Sequence, residues 1–114
     1  MIEYWHNPRC SKSRQGLALL QDQGAKLTLR RYLEDSPSRQ ELEAVHRALG
    51  RPPVCDMMRK SDKLFAELGL SCDMSEADLL TAMSDNPALI ERPLAITEGR
   101  AAIGRPPEVL LDLL

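Results

Sequence analysis

With 114 residues, 43% of them hydrophobic and 28% charged, the chain holds apolar material for one core and not for two. Its formal net charge of −2 gives no general attraction to nucleic acid or to an anionic membrane surface. No apolar stretch approaches the ~20 residues of a membrane span, and Met1-Ile2-Glu3-Tyr4-Trp5-His6 lacks the basic and apolar regions of a secretory signal, so the cytoplasm is the expected compartment.

Residues 1–5 are short, apolar and aromatic-rich, as a buried strand is. His6-Asn7-Pro8-Arg9 interrupts them, because Pro8 cannot donate to a ladder and biases Asn7 towards an extended conformation. Cys10-Ser11-Lys12-Ser13 opens a helix whose apolar face is Leu17, Ala18 and Leu20, and Gly24 ends it. Alternating Leu27, Leu29 and Tyr32 predict a second strand near residues 26–32. Strand, helix and strand at this spacing make a right-handed βαβ unit with parallel strands.

The middle of the chain reads as short helices. Ser38 with Glu41 is a capping-box pattern, starting a helix through Leu42, Val45 and Leu49 that ends at Gly50. Arg51-Pro52-Pro53 stops it. Residues 54–59 suit a helical turn, residues 61–68 a helix ending at Gly69, and Ser75-Glu76-Ala77-Asp78 starts another with Leu79, Leu80 and Met83 inward. Leu94-Ala95-Ile96 and Ala101-Ala102-Ile103 then flank Glu98-Gly99-Arg100, a hairpin turn. A final helix presents Val109, Leu110 and Leu113. The order predicts an α/β fold of the thioredoxin type: a four-stranded mixed sheet (β-α-β, helical insertion, β-β-α) in a single domain, 1–114, with the insertion at about 37–88.

The three cysteines, Cys10, Cys55 and Cys72, are too few and too scattered to read as a disulfide framework. There is no C-x-x-C pair and only two histidines, so no zinc site and no other metal is expected. Cys10 stands out by position. It falls where a strand has ended and a helix begins, where unpaired N–H groups and the helix dipole stabilise a thiolate. Arg9, Lys12 and Arg14 add positive charge, Ser11 and Ser13 bring hydroxyls, and His6 lies at the strand end. A lone cysteine is more often a small buried hydrophobe, but these charged flanks argue against burial. The same geometry cradles an oxyanion. The Cys-x5-Arg phosphatase loop is excluded by Gly16, and the nucleotide P-loop is absent. Cys55 and Cys72 lie in uncharged settings and read as structural or incidental rather than as resolving thiols. His46, mid-helix, reads as a partly exposed structural histidine.

His6-Asn7-Pro8-Arg9-Cys10-Ser11-Lys12-Ser13-Arg14 resembles the active-site segment of the glutaredoxin-linked arsenate reductase (ArsC) family. The resemblance continues through Tyr32-Leu33-Glu34, Met58-Arg59-Lys60, Asn86-Pro87, Glu91-Arg92-Pro93 and Gly104-Arg105-Pro106-Pro107-Glu108. It implies that Cys10 is the catalytic nucleophile and that Arg59, Arg92 and Arg105 surround the oxyanion. It further implies that His6 favours the thiolate, that the Ser13 hydroxyl bonds the sulfur, and that Arg92-Pro93 is the cis-proline bond beside the cysteine, with Arg14 as added anion-binding charge. The implied activity is reduction of arsenate to arsenite with glutathione as co-substrate and glutaredoxin as partner, and with no bound cofactor. Two other readings share these residues. A general glutathione-dependent thiol oxidoreductase needs Cys10 and Pro93 but not all three arginines. A redox-linked transcription regulator of this fold needs a C-x-x-C pair, and Ser13 stands where its second cysteine belongs.

Overall fold

The computed structural model describes residues 1–114, which divide into two compact units, 1–35 with 92–114 and 36–91.

The first unit is built on a four-stranded sheet in the order β2-β1-β3-β4. Strands β1 (Ile2–Trp5) and β2 (Leu27–Arg30) run parallel, joined by helix α1 (Ser11–Asp22). Strand β3 (Leu94–Thr97) lies antiparallel to β1 and turns through Glu98-Gly99 into β4 (Arg100–Ile103). This is the four-stranded mixed sheet that the sequence predicts. Alternation along β1 sends Ile2 and Tyr4 to one face, where they pack with Leu20 of α1, Ala95, Ala102, Leu110 and Leu113. On the other face Trp5 stacks against Tyr32 at 6.4 Å between ring centroids, with the Arg30 guanidinium 5.3 Å from its ring.

The C-terminal segment differs from the expectation. Pro107–Leu113 is a 3₁₀ helix rather than an α-helix. Two prolines at its start remove N–H donors, and the three-residue turn brings Leu110 and Leu113 onto one line against the sheet.

Close packing beneath α1 depends on missing side chains. A Cβ built on Gly16 would lie 2.5 Å from Tyr4 Oη and 2.9 Å from Leu110 Cδ1, and one on Gly104 would lie 2.8 Å from Pro93 Cγ. The Pro93 ring is thus held between a helix backbone and the turn after β4. Gly16→Ala is expected to lower stability by about 1–3 kcal/mol, outweighing the roughly 1 kcal/mol that alanine gains inside a helix. A thermal midpoint at or above wild type would show that the site relaxes freely.

The second unit holds α2 (Arg39–Ala48), α3 (Lys63–Glu67) and α4 (Glu76–Asp85), with 3₁₀ turns at Val54–Met57 and Pro87–Leu89. The capping box forms as read from sequence: Ser38 Oγ accepts the Glu41 N–H and the Glu41 carboxylate accepts the Ser38 N–H, both at 3.1 Å. Asp62 and Ser75 cap α3 and α4 without the reciprocal bond, Asp62 Oδ1 accepting the Leu64 N–H and Ser75 Oγ the Asp78 N–H. His46 is partly buried, its Nε2 2.7 Å from the Pro52 carbonyl oxygen.

Cys55 and Cys72 are joined in a disulfide, with Cα atoms 5.7 Å apart across 17 residues of sequence. This corrects the expectation drawn from their sparse spacing, since it is the folding of this unit that brings a buried 3₁₀ turn beside an exposed loop. A closed loop of this length removes unfolded-state entropy on the order of 3 kcal/mol. Reduction is therefore expected to lower the urea midpoint of wild type and to leave a Cys55→Ser/Cys72→Ser double variant unmoved.

Candidate active site

Cys10 occupies the N-cap of α1 in an extended conformation (φ −94°, ψ 121°). The turn leading to it is pinned from several directions. Cys10 N–H donates to the Asn7 carbonyl at 3.0 Å, Arg9 N–H to Asn7 Oδ1 at 3.1 Å, and Arg14 Nη1 to the Pro8 carbonyl at 2.8 Å. Tyr4 Oη, fully buried beneath α1, donates to the Ser13 carbonyl at 2.6 Å and ties the first helical turn to β1.

The charged flanks do not keep Cys10 on the surface, as their composition had suggested. Its residue is only 9% exposed, because Arg9, Ser11 and Lys12 turn outward while the thiol faces inward. Burial alone pushes the thiol pKa up. The Ser13 N–H, the Arg92 side chain through both its hydrogen bond and its charge, and the Lys12 N–H together outweigh it, so the thiol lies below its ordinary value. The contact that ties β3 to this helix start is direct: Arg92 Nε donates to Cys10 Sγ at 2.9 Å. Arg92 in turn is held through its carbonyl oxygen, which accepts from Arg105 Nε at 2.9 Å. The Arg92-Pro93 and Arg105-Pro106 peptide bonds are both cis.

The ArsC family profile matches residues 5–113. The chain belongs to the ArsC family. Over 111 residues it is 45% identical to an arsenate reductase of Haemophilus influenzae, spanning 96% of each chain. An arsenate reductase of Neisseria meningitidis is 44% identical over 108 residues, 94% of this chain and 92% of that one. Among solved structures, an arsenate reductase from Vibrio cholerae superposes with a TM-score of 0.94 at 45% identity, covering 99% of this chain and 97% of that one.

The segments that carry the ArsC resemblance bring Cys10, His6, Ser13, Arg14, Arg92, Pro93 and Arg105 into the first unit. Several do other work than the resemblance implied. The Ser13 hydroxyl does not bond the sulfur. Its Oγ accepts the Asn7 N–H at 3.0 Å and lies 2.8 Å from His6 Nδ1, and it is the backbone N–H of Ser13 that reaches the thiolate. His6 is buried, and burial with the charges of Arg31 and Arg14 holds its pKa below the usual histidine value. The lowered pKa favours the neutral ring, and its Nδ1 contact with the Ser13 hydroxyl fixes the turn whichever of the two carries the proton. Arg14 clamps Pro8. Arg59 belongs to the second unit, where its Nη1 pairs with Asp62 Oδ2 at 3.1 Å.

Tyr4 and Gly104 border the family segments but carried no expected role at this site, and Gly16 entered only in excluding the phosphatase loop. Their signal was present only as spacing: Tyr4 stands six residues before Cys10, and Gly16 on the buried line of α1 with Ser13 and Leu20. No group of three or more His, Cys, Asp or Glu side chains is placed to hold a metal ion, and no helix is long and apolar enough to cross a membrane.

Proposed function

We propose that this chain reduces arsenate to arsenite, with glutathione and a glutaredoxin as thiol donors and no bound cofactor. The observation that carries the reading is the Arg92 Nε–Cys10 Sγ hydrogen bond at 2.9 Å at a helix start, which pairs a nucleophilic sulfur with a permanent cation. The names of the relatives at 44–45% identity support arsenate as substrate.

In this reading the Cys10 thiolate attacks arsenic(V), an As–S bond forms, and one arsenate oxygen leaves as water. A glutathione thiol then displaces a second oxygen as water, giving an arsenic bound to both sulfurs. A glutaredoxin thiolate attacks the glutathione sulfur. The S–As bond breaks with its electron pair staying on arsenic, which becomes arsenic(III), and a glutaredoxin–glutathione disulfide forms. Water hydrolyses the remaining Cys10–arsenic bond, returning the thiol and releasing arsenite. Two thiols become one disulfide as arsenic gains two electrons. In this reading the Arg92 guanidinium steadies negative oxygen during each displacement, and Arg105 braces it through the Arg92 backbone carbonyl. Arg59 enters on the family resemblance alone.

The test is arsenate-dependent NADPH oxidation coupled through glutathione reductase, glutathione and glutaredoxin, with direct measurement of arsenite. Arg59→Ala and Arg105→Ala are run beside wild type, and a thioredoxin system replaces the glutathione system in a parallel arm. Arsenite formed only with glutathione and glutaredoxin supports the reading. Arsenite formed equally well with thioredoxin alone overturns the donor assignment. Disulfide reduction without any arsenite overturns the substrate.

A further inference from the structure

A groove of about 260 Å³ opens at the carboxyl ends of the parallel strands β1 and β2, lined chiefly by His6, Pro8, Arg9, Arg31, Leu33 and Glu34. Crevices outside the carboxyl ends of strands are where open α/β sheets receive ligands. Its two walls are tied together: His6 N–H donates to the Arg30 carbonyl at 2.7 Å, and Glu34 N–H and Asp35 N–H close a turn on the Arg31 carbonyl at 3.0 and 2.8 Å. The wall made by residues 6–9 runs directly into Cys10.

The side chains of Arg9, Arg31 and Glu34 are exposed, and none of the three is engaged in an ion pair or a side-chain hydrogen bond. Two fixed cations and one carboxylate left unpaired around a small groove describe a ligand with two carboxylates and one ammonium. A simple oxyanion or dicarboxylate would leave the Glu34 carboxylate without a partner. Pro8 and Leu33, the latter 44% exposed, offer apolar contact between the charged ends. We propose that this groove is the glutathione site, with Arg9 and Arg31 taking the two carboxylates and Glu34 the γ-glutamyl ammonium. A tripeptide reaches about 10 Å when extended, enough to lie along residues 6–9 and present its thiol beside Cys10. The site rests on the arsenate-reductase reading for its place in a reaction, but its occupancy is measurable without turnover.

S-methylglutathione, which cannot react, is the binding probe. Its titration into wild type, followed by NMR, is expected to give saturable shifts at residues 6–9 and 31–34. Arg31→Ala is expected to weaken binding about tenfold, the size expected for loss of one charge-assisted hydrogen bond. An analogue lacking the ammonium is expected to bind wild type several-fold more weakly and to lose little further in Glu34→Gln. In turnover, Arg31→Ala is expected to raise the KM for glutathione about tenfold and leave the KM for arsenate unchanged. If arsenite forms but neither variant alters the glutathione KM, the groove assignment is overturned while the reductase reading stands. If no arsenite forms but S-methylglutathione binds here and is lost in the variants, the reductase reading fails and the groove stands. Absence of saturable shifts in wild type overturns the groove.

Discussion

Cys10→Ser is expected to bring arsenite formation down to the rate seen without the protein, a loss of at least about a thousandfold, while the thermal unfolding midpoint stays close to wild type. The reason is chemical rather than structural. A serine hydroxyl fits the N-cap of α1 and is a favoured residue there, so the helix start is preserved. Yet it is not ionised at neutral pH, and the donors gathered on the Cys10 sulfur, the N–H groups of Lys12 and Ser13 and Nε of Arg92, stabilise an anion that serine does not supply. No second free thiol exists to take over, because Cys55 and Cys72 are bonded to each other. Residual turnover above a tenth of wild type would falsify the assignment of Cys10 as nucleophile.

Arg92→Ala carries the second largest effect, and pH separates its two components. The Cys10 thiol is held below its ordinary pKa because the Ser13 N–H, Arg92 and the Lys12 N–H together outweigh burial. Removing Arg92 leaves burial with fewer opponents, so the midpoint of Cys10 alkylation against pH is expected to rise. In wild type that midpoint is expected below the ordinary cysteine value. A hydrogen bond to an ionised group contributes roughly 1.5–3 kcal/mol, and loss of one oxyanion donor costs about 10²–10³ in turnover. A drop in arsenite formation of about a hundredfold is therefore expected at pH 7, part of it recovered as the pH is raised through the variant thiol's own alkylation midpoint. Full recovery at high pH would confine Arg92 to holding the thiolate, and no recovery would confine it to the oxyanion.

The same shift links to stability. Because the thiol is more acidic folded than unfolded, the thiolate stabilises the fold. That contribution is complete above the unfolded value of ~8.5 and is lost as pH falls through the folded pKa. Unfolding of wild type between pH 9 and pH 5 should show this loss, and Arg92→Ala should show less of it.

Much of the fold is legible residue by residue. Pro8 ends β1, Gly24 follows α1, Ser38 with Glu41 caps α2, and two apolar runs around Glu98-Gly99 make the β3–β4 hairpin. Each of these rests on chemistry within a few residues of chain, which is why a single sequence carries it. The active-site segment is legible for the same reason: a cysteine between a broken strand and a helix start is a local pattern, and the family motifs around it are local too.

The tertiary structure decided what depends on residues far apart in the chain. Arg92 meets the Cys10 sulfur across 82 residues because β3 pairs beside β1, and Arg105 meets the Arg92 carbonyl because β4 folds back on β3. The Ser13 hydroxyl turns to His6 and Asn7 because the helix axis aims its N–H, not its side chain, at the sulfur. Cys10 is buried although its neighbours are charged, since alternate residues of a turn can face opposite ways. The Cys55–Cys72 bridge follows from packing within residues 36–91. The sequence by itself determined the strand and helix order, the candidate nucleophile and the family. Which donor each functional group meets was set only by the sheet, because pairing strands bring together side chains whose chemistry no local spacing connects.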